Sequence, residues 1–335
     1  MNLTLTPYDR RDQPHVPQHG VISGEPNNVY HATPYISLSK LNELVPVPGE
    51  RPRPALFEAA MKGTTEEKPT FAKDFGNLAH CLILEGEEEV ERRYKVVELR
   101  DWRSEADKAH NIEQLTSCVD DPTIPYVTPK AKKEDILAYF RALPGREPVD
   151  AKVLEDAKAI RDRLLRHPDA KELLTATPAF SELVFRAKLE SGFGIQCRCD
   201  KFLPNGCELT GGKPVIVDLK TIDSLHNWTR AYQTRKYYKA PAFYRQSIFA
   251  ATGYSDPIDH LFIIVEKTPP NGVMVAQTPI FDESFGLEEI EWELEFLKSL
   301  NGKYSADWGD GGFVFSSLPE WYQSKVRAGW EREGA

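Results

Sequence analysis

The sequence predicts an α/β core in the second half of the chain, with a mostly helical N-terminal portion folded onto it. Three observations lead there. Segments of helical period fill the first half, from "YISLSKLNELV" to "DAKVLEDAKAIRDRLLRH". After Ala179 three strand-like runs follow one another, "AFSELVFRAKLE", "FGIQCRCDKFLP" and "PVIVDLKT", separated by turn residues such as Gly192 and Gly194. Two helical stretches, the strands "HLFIIVEK" and "GVMVAQTPI", and an amphipathic helix then complete an order β-β-β-α-α-β-β-α.

Taken in order, residues 1–34 are polar and proline-bearing and read as a flexible arm. They lack the apolar centre of a signal peptide, so a cytoplasmic location is expected. Residues 35–170 form the helical portion. Ser37 or Ser39 caps its first short helix, and "PALFEAAMKG" runs from a proline start to a glycine stop. Phe71, Phe75, Leu78, Leu82 and Ile83 recur at helical spacing until Gly86. Further helices are expected near 104–118 and 130–142, inside a charged segment, 87–149, without an interpretable motif. Residues 171–303 hold the strands, with helices near 224–236 and 238–252. Residues 304–335 form an aromatic tail, helical near its end.

Composition excludes several classes. A hydrophobic content of 41% with 28% charged residues is that of a soluble globular protein. No apolar run reaches the roughly 18 residues of a membrane span. Cys81, Cys118, Cys197, Cys199 and Cys207 read as reduced thiols. The C-x-C pair suits alternate positions of a strand better than zinc or an iron–sulfur cluster. A net charge of −9 excludes a globally basic nucleic-acid binder but leaves room for a local basic surface.

The chemistry gathers around "VIVDLKTIDS". Val215, Ile216 and Val217 read as a buried strand, and Asp218 and Lys220 leave it on the same side. That pair is a salt bridge at a strand end, or a metal site with a lysine beside it. Asp200 ends the preceding strand and comes near Asp218 if the two strands form a hairpin. Glu182 lies between apolar neighbours, either facing water at a strand edge or held by a partner. His80 sits on an otherwise apolar helix, as a core residue or as a ligand. One imidazole and two carboxylates suit Mg²⁺ or Mn²⁺, and a lysine beside them suits phosphodiester hydrolysis.

The Asp200…Asp218-Leu219-Lys220 series resembles the D…(D/E)-x-K signature of the PD-(D/E)XK nucleases. "GNLAH", Gly76 to His80, resembles the G-x-x-x-H helix of the RecB-like and RecE-like branch. With "YISLSKLNEL", "CRCDKFLP" and "KAPAFYRQ", the set is most similar to the exonuclease VIII (RecE) nuclease domain, over residues 35–280. The resemblance implies a restriction-endonuclease-like core, a mixed central sheet flanked by helices. It implies a Mg²⁺-dependent exonuclease acting 5′→3′ on linear double-stranded DNA, in a tetrameric ring, with a single-strand annealing protein of the RecT type as partner. It makes His80, Asp200, Asp218 and the Leu219 carbonyl metal ligands, Lys220 the catalytic lysine, and Glu182 the acid that precedes the first aspartate. Tyr244 fits the tyrosine of the family's Q-x-x-x-Y helix, but Ala240 stands where glutamine is expected. Gln233 and Gln246 are the nearest substitutes, at other offsets.

A local basic surface is expected directly after this strand. Ser224 to Ser255 holds no Asp or Glu, where 51 acids in 335 residues would place about five. It holds Arg230, Arg235, Lys236, Lys239 and Arg245, interleaved with Trp228, Tyr232, Tyr237, Tyr238 and Tyr244, a pattern suited to phosphates and bases. The alternatives are a catalytically weakened DNA-binding protein of the same fold, or a RecB-like nuclease of other polarity.

Overall fold

In the computed structural model, residues 1–8, 19–47, 51–64, 71–121, 127–141 and 143–302 are described. Strands β1 (Leu5–Pro7) and β2 (Gly20–Ser23) precede helices α1 (Asn27–Ala32), α2 (Leu38–Asn42), α3 (Pro54–Lys62) and α4 (Phe71–His80). A π-helical turn, Cys81–Glu85, continues α4 into α5 (Glu87–Arg93). Next come β3 (Tyr94–Val97), α6 (Glu105–Thr116), α7 (Lys133–Arg141), β4 (Glu147–Asp150), α8 (Ala151–Leu164) and α9 (Pro168–Thr175). The second half runs β5 (Phe180–Lys188), β6 (Gly194–Leu203), β7 (Val215–Ile222), α10 (Trp228–Thr234), α11 (Ala240–Thr252), β8 (Asp259–Glu266), β9 (Val273–Gln277) and α12 (Ile280–Ser299).

Local chemistry sets the helix boundaries. The Ser37 hydroxyl accepts from the Lys40 amide at the start of α2, and Asp150 does the same for Lys152 at the start of α8. Pro54 opens α3, and Gly63 closes it in the left-handed conformation.

Seven strands form one mixed sheet in the order β1-β2-β5-β6-β7-β8-β9. The pairs β1–β2 and β7–β8 are parallel and the other pairs antiparallel. Parallel neighbours need a crossover, and α10 and α11 supply it between β7 and β8. The expected mixed sheet flanked by helices is therefore present. On one face Phe75, Leu78 and Leu82 pack with Ile160 and Leu164 of α8 against Val215, Val217 and Leu219 of β7. On the other, Phe57 of α3, Phe243 and Ile248 of α11 and Ile290 and Leu294 of α12 cover Phe185, Cys197, Cys199, Phe202 and Ile216. Cys197 and Cys199 thus share a face, as alternate strand residues do. The segment 87–149, without a motif in sequence, builds a satellite core from Leu115, Ile136 and Phe140, beside the two-stranded parallel pair β3–β4.

The described part of residues 1–34 is not a flexible arm. β2 pairs antiparallel with β5, with Val21 opposite Phe185, and β1 extends the sheet edge. Behind them Glu25 receives both terminal nitrogens of Arg186, at 2.9 and 2.7 Å, with both side chains buried. Gln196 joins this pair by accepting from Arg186 Nε and donating to the Tyr30 carbonyl. A strand of four residues followed by Glu25, whose partner lies 161 positions away, leaves no local signal in sequence. The expected tail, 304–335, lies outside the described residues.

Candidate active site and metal centre

Alternation on β7 creates the site. Val215, Val217 and Leu219 turn into the core beneath α4, so Asp218 and Lys220 leave on the opposite face. Their side chains bond directly, Lys220 Nζ to Asp218 Oδ1. The neighbouring registers align two more acids. Lys201 pairs with Val217, which brings Asp200 opposite Asp218 one step on. Ser181 pairs with Lys201 and Leu183 with Cys199, which brings Glu182 opposite Asp200. Three carboxylates therefore lie abreast on β5, β6 and β7. At Glu182 the strand takes φ +52°, a left-handed conformation that costs a residue with a Cβ and that clusters at functional sites.

α4 delivers His80 to this row. Its Nδ1 lies 3.6 Å from Asp200 Oδ2, and its ring meets the backbone of Leu219. The Leu219 amide donates to Asp200 Oδ2 at 2.9 Å, so this aspartate ends the strand ladder. The π-turn that follows His80 is a feature found often at functional sites. His80, Glu182 and Asp200 each offer a ligand atom, all within 4.8 Å of one another. Ligands held about 2.1 Å from one ion stand roughly 3–4 Å apart, so the group fits a divalent cation after small side-chain adjustments.

The electrostatics suit such a guest. Burial pushes the Glu182 carboxyl up to about 7, with Arg198 opposing and Asp200 adding to the push. Burial likewise raises Asp218, with Lys220 opposing it. Burial lowers His80 to about 4, so its imidazole is neutral and able to bind metal at pH 7. Burial also works against the Lys220 ammonium, but Asp218 and Asp200 outweigh it and hold its pKa above the ordinary lysine range.

A cleft of about 310 Å³ opens over Asp200, Asp218 and Lys220. Arg198, Tyr30, Ser37, Ser39, Asn42, Arg235, Tyr237, Ala240 and Tyr244 line the rest of it. Arg198 binds Glu182 through Nε at 2.8 Å and stands over the Tyr30 ring at 4.8 Å. The Tyr244 hydroxyl donates to the Arg198 carbonyl at 3.3 Å. Lys220 lies over the Tyr237 ring at 5.4 Å. Ala240 reaches the cleft, whereas neither Gln233 nor Gln246 lines it. Two polar groups escaped the sequence reading. Arg198 was hidden between two cysteines, although a charged residue inside an apolar strand is a signal. His260 was hidden because only the parallel pairing of β8 with β7 brings it near Asp218.

The expected basic surface is smaller than its composition suggests. Lys236 bonds Glu289, Lys239 bonds Glu293 at 2.5 Å, and both lysines are buried. Arg245 bonds Glu283. These acids come from α12, beyond the acid-free window, so Lys236, Lys239 and Arg245 fasten α12 rather than face a ligand. Gly286 permits this approach, since a Cβ there would meet the Tyr238 carbonyl at 2.8 Å. Trp228, Tyr232 and Tyr237 pack around Phe262. Arg230 and Arg235 remain exposed, and Arg235 lines the cleft.

Residues 50–305 match the family described as a PDDEXK-like domain of unknown function (DUF3799). The chain belongs to this family. Its fold is therefore that of the PD-(D/E)XK nucleases, as the D-x-K strand and the mixed sheet imply. The fold is also similar to that of an exonuclease candidate from Eubacterium rectale, known by crystal structure. The TM-score is 0.52 at 14% identity, over 87% of this chain and 93% of that one. A second structure, SSO0001, aligns over 68% of this chain and 88% of that one at 13% identity; its TM-score of 0.26 carries no argument. No curated protein matches the family member by sequence. Among its described residues no helix is long and apolar enough to cross a membrane.

Proposed function

We propose that the protein is a divalent-metal-dependent exonuclease of the RecE-like kind. It hydrolyses phosphodiester bonds of linear double-stranded DNA from the 5′ end and leaves single-stranded tails for recombination. The observation that carries this reading is the row Glu182, Asp200 and Asp218 across three adjacent strands, closed by His80 on one side and Lys220 on the other. The exonuclease candidate of similar fold agrees with it.

His80, Glu182 and Asp200, with Asp218 and the Leu219 carbonyl, are the residues to hold the ion, Mg²⁺ with Mn²⁺ as a substitute. When bound, the ion acidifies a water and offsets charge on the scissile phosphate. The remaining work falls to the chain. Lys220 stays protonated, so its Nζ donates rather than accepts; it orients the attacking water and steadies negative charge on phosphate oxygen. Arg198 offers a second cation at the cleft wall, and Tyr244 fixes the backbone that carries it. Arg230 and Arg235 contact the DNA backbone outside the cleft. A homo-oligomeric ring and an annealing protein of the RecT type complete the proposal as partners.

Digestion of end-labelled linear duplex with Mg²⁺, with closed circular DNA as control, tests it. The wild type is expected to degrade only the linear form, losing the 5′ label first, and Asp218→Ala and Lys220→Ala to be slower by about 100-fold or more. Intact linear DNA with both Mg²⁺ and Mn²⁺ would refute the enzyme. A second reading, a weakened nuclease that mainly binds DNA, is favoured by Ala240, which lines the cleft where the related pattern has glutamine. Ala240→Gln would then raise the cleavage rate.

A further inference from the structure

Beside the catalytic strand lies a histidine that the mechanism above does not use. His260 pairs in register with Ile216 on parallel β7, one alternation before Asp218. It is 1% exposed, and neither ring nitrogen has a hydrogen-bond partner among the described residues. Its ring stands edge-on to Tyr244, with centroids 5.5 Å apart, and against Phe262 at 4.7 Å. Its Nε2 points to the site, 3.8 Å from Asp218 Oδ2. That oxygen is the one Lys220 does not bond, since Lys220 takes Oδ1.

A buried polar ring without a partner is disfavoured, and such orphans in folded proteins usually mark a role. The geometry supplies one. Asp218 is itself buried, so each of its oxygens needs a partner whenever it is charged. A carboxylate oxygen can accept from Lys220 and still offer a lone pair to an ion, so Oδ1 serves both only while the carboxylate does not rotate. A donor on Oδ2 prevents that rotation.

We propose that His260 is a positioning residue whose Nε2–H closes from 3.8 Å onto Asp218 Oδ2 as the ion binds and then holds the carboxylate in the orientation that binds the metal ion. Tyr244 and Phe262 clamp the ring so that Nε2 keeps its aim. Partners of this kind, which orient a ligand without touching the metal, typically change affinity 10- to 100-fold when removed. The inference rests on the metal-site reading of the cleft.

The test is calorimetric titration of the full chain with Mn²⁺, without DNA, on the wild type, His260→Gln, His260→Asn and His260→Leu. Glutamine reaches the Nε2 position with an amide N–H, whereas asparagine stops at the Nδ1 position. A merely structural role would treat these two amides alike. The expected result is near-wild-type Mn²⁺ affinity for His260→Gln and a loss of about 10- to 100-fold for His260→Asn and His260→Leu. Thermal melts without metal check that each variant is folded, and the Asn and Gln pair decides the matter if Leu is not. In cleavage assays the Asn variant would need more Mn²⁺ for half-maximal rate and recover kcat at saturation. Equal Mn²⁺ affinity in wild type and His260→Asn, or equal losses in Asn and Gln, would overturn the proposal alone. No Mn²⁺ binding by the wild type would overturn the metal-site reading and the proposal with it.

Discussion

Two clusters of lysine and acid stand on the same side of the sheet and do different things. Between α12 and the turn before α11, Lys236 and Lys239 meet Glu289 and Glu293, two charges against two, with both lysines and Glu293 sealed from water. At the cleft, Asp200 and Asp218 of its lining and Glu182, bonded to Arg198, meet Arg198 and Lys220, three acids against two cations, at an opening of about 310 Å³. The first cluster is matched in charge without a guest. The second has a surplus carboxylate, a neutral imidazole beside it and room for a phosphate. Buried ion pairs of matched charge fix a structure, whereas an unmatched row of acids calls for a cation.

The sharpest way to break this contrast is to remove one lysine from each cluster. Lys220→Ala is expected to lower the cleavage rate by about 10²- to 10³-fold, the usual effect of losing one charge-stabilising donor, with a smaller loss of stability than in the other cluster, because Asp218 lines a cleft that water can enter. Lys239→Ala is expected to do the reverse. It leaves Glu293 buried with only Lys236 beside it, at 3.6 Å, at a cost of about 3 kcal/mol in urea unfolding, while the folded fraction keeps its activity. An equal loss of stability from Lys220→Ala together with loss of activity from Lys239→Ala would erase the distinction.

A smaller effect is expected from pH. The Glu182 carboxyl is raised from its ordinary value near 4.5 to about 7. Between those values the folded protein holds a proton that the unfolded chain releases, so this group's contribution to stability falls as pH rises through the window. The integrated effect is about 3 kcal/mol. Glu182→Gln should flatten that part of the profile, and Mn²⁺ should offset it near pH 7, because only the ionised carboxylate binds metal. Thermal melts across pH, with and without Mn²⁺, measure both.

The smallest effects sharpen the boundary of the DNA surface. Arg230→Ala and Arg235→Ala should each weaken DNA binding severalfold and reduce the salt slope by about one unit. Arg245→Ala, which faces Glu283, should leave the slope unchanged while lowering stability.

The same contrast explains what was legible in the sequence. Asp218 and Lys220 were readable because two residues of one strand share a side whatever the strand's neighbours are. Asp200 was readable because a hairpin joins consecutive strands. The β-β-β-α-α-β-β-α order followed from periodicity, and its elements stand where the turns placed them. Lys236, Lys239 and Arg245 misled because a window of sequence reports its own charges only, and their acids lie on α12, 53, 54 and 38 residues on. β1 and β2 were missed for a related reason. Polar, proline-bearing residues look mobile until Glu25 is seen to meet Arg186. His260 required a parallel register, which no local pattern encodes.

The surplus charge in the cleft is tested most directly by diffraction from crystals of the full chain soaked in Mn²⁺, read at the manganese edge. The expected result is an anomalous peak within bonding distance of His80, Glu182 and Asp200, lost in Asp200→Asn. Saturating Mn²⁺ with no peak in the cleft, or a peak that survives Asp200→Asn unchanged, would contradict the claim that this row of acids is a metal centre.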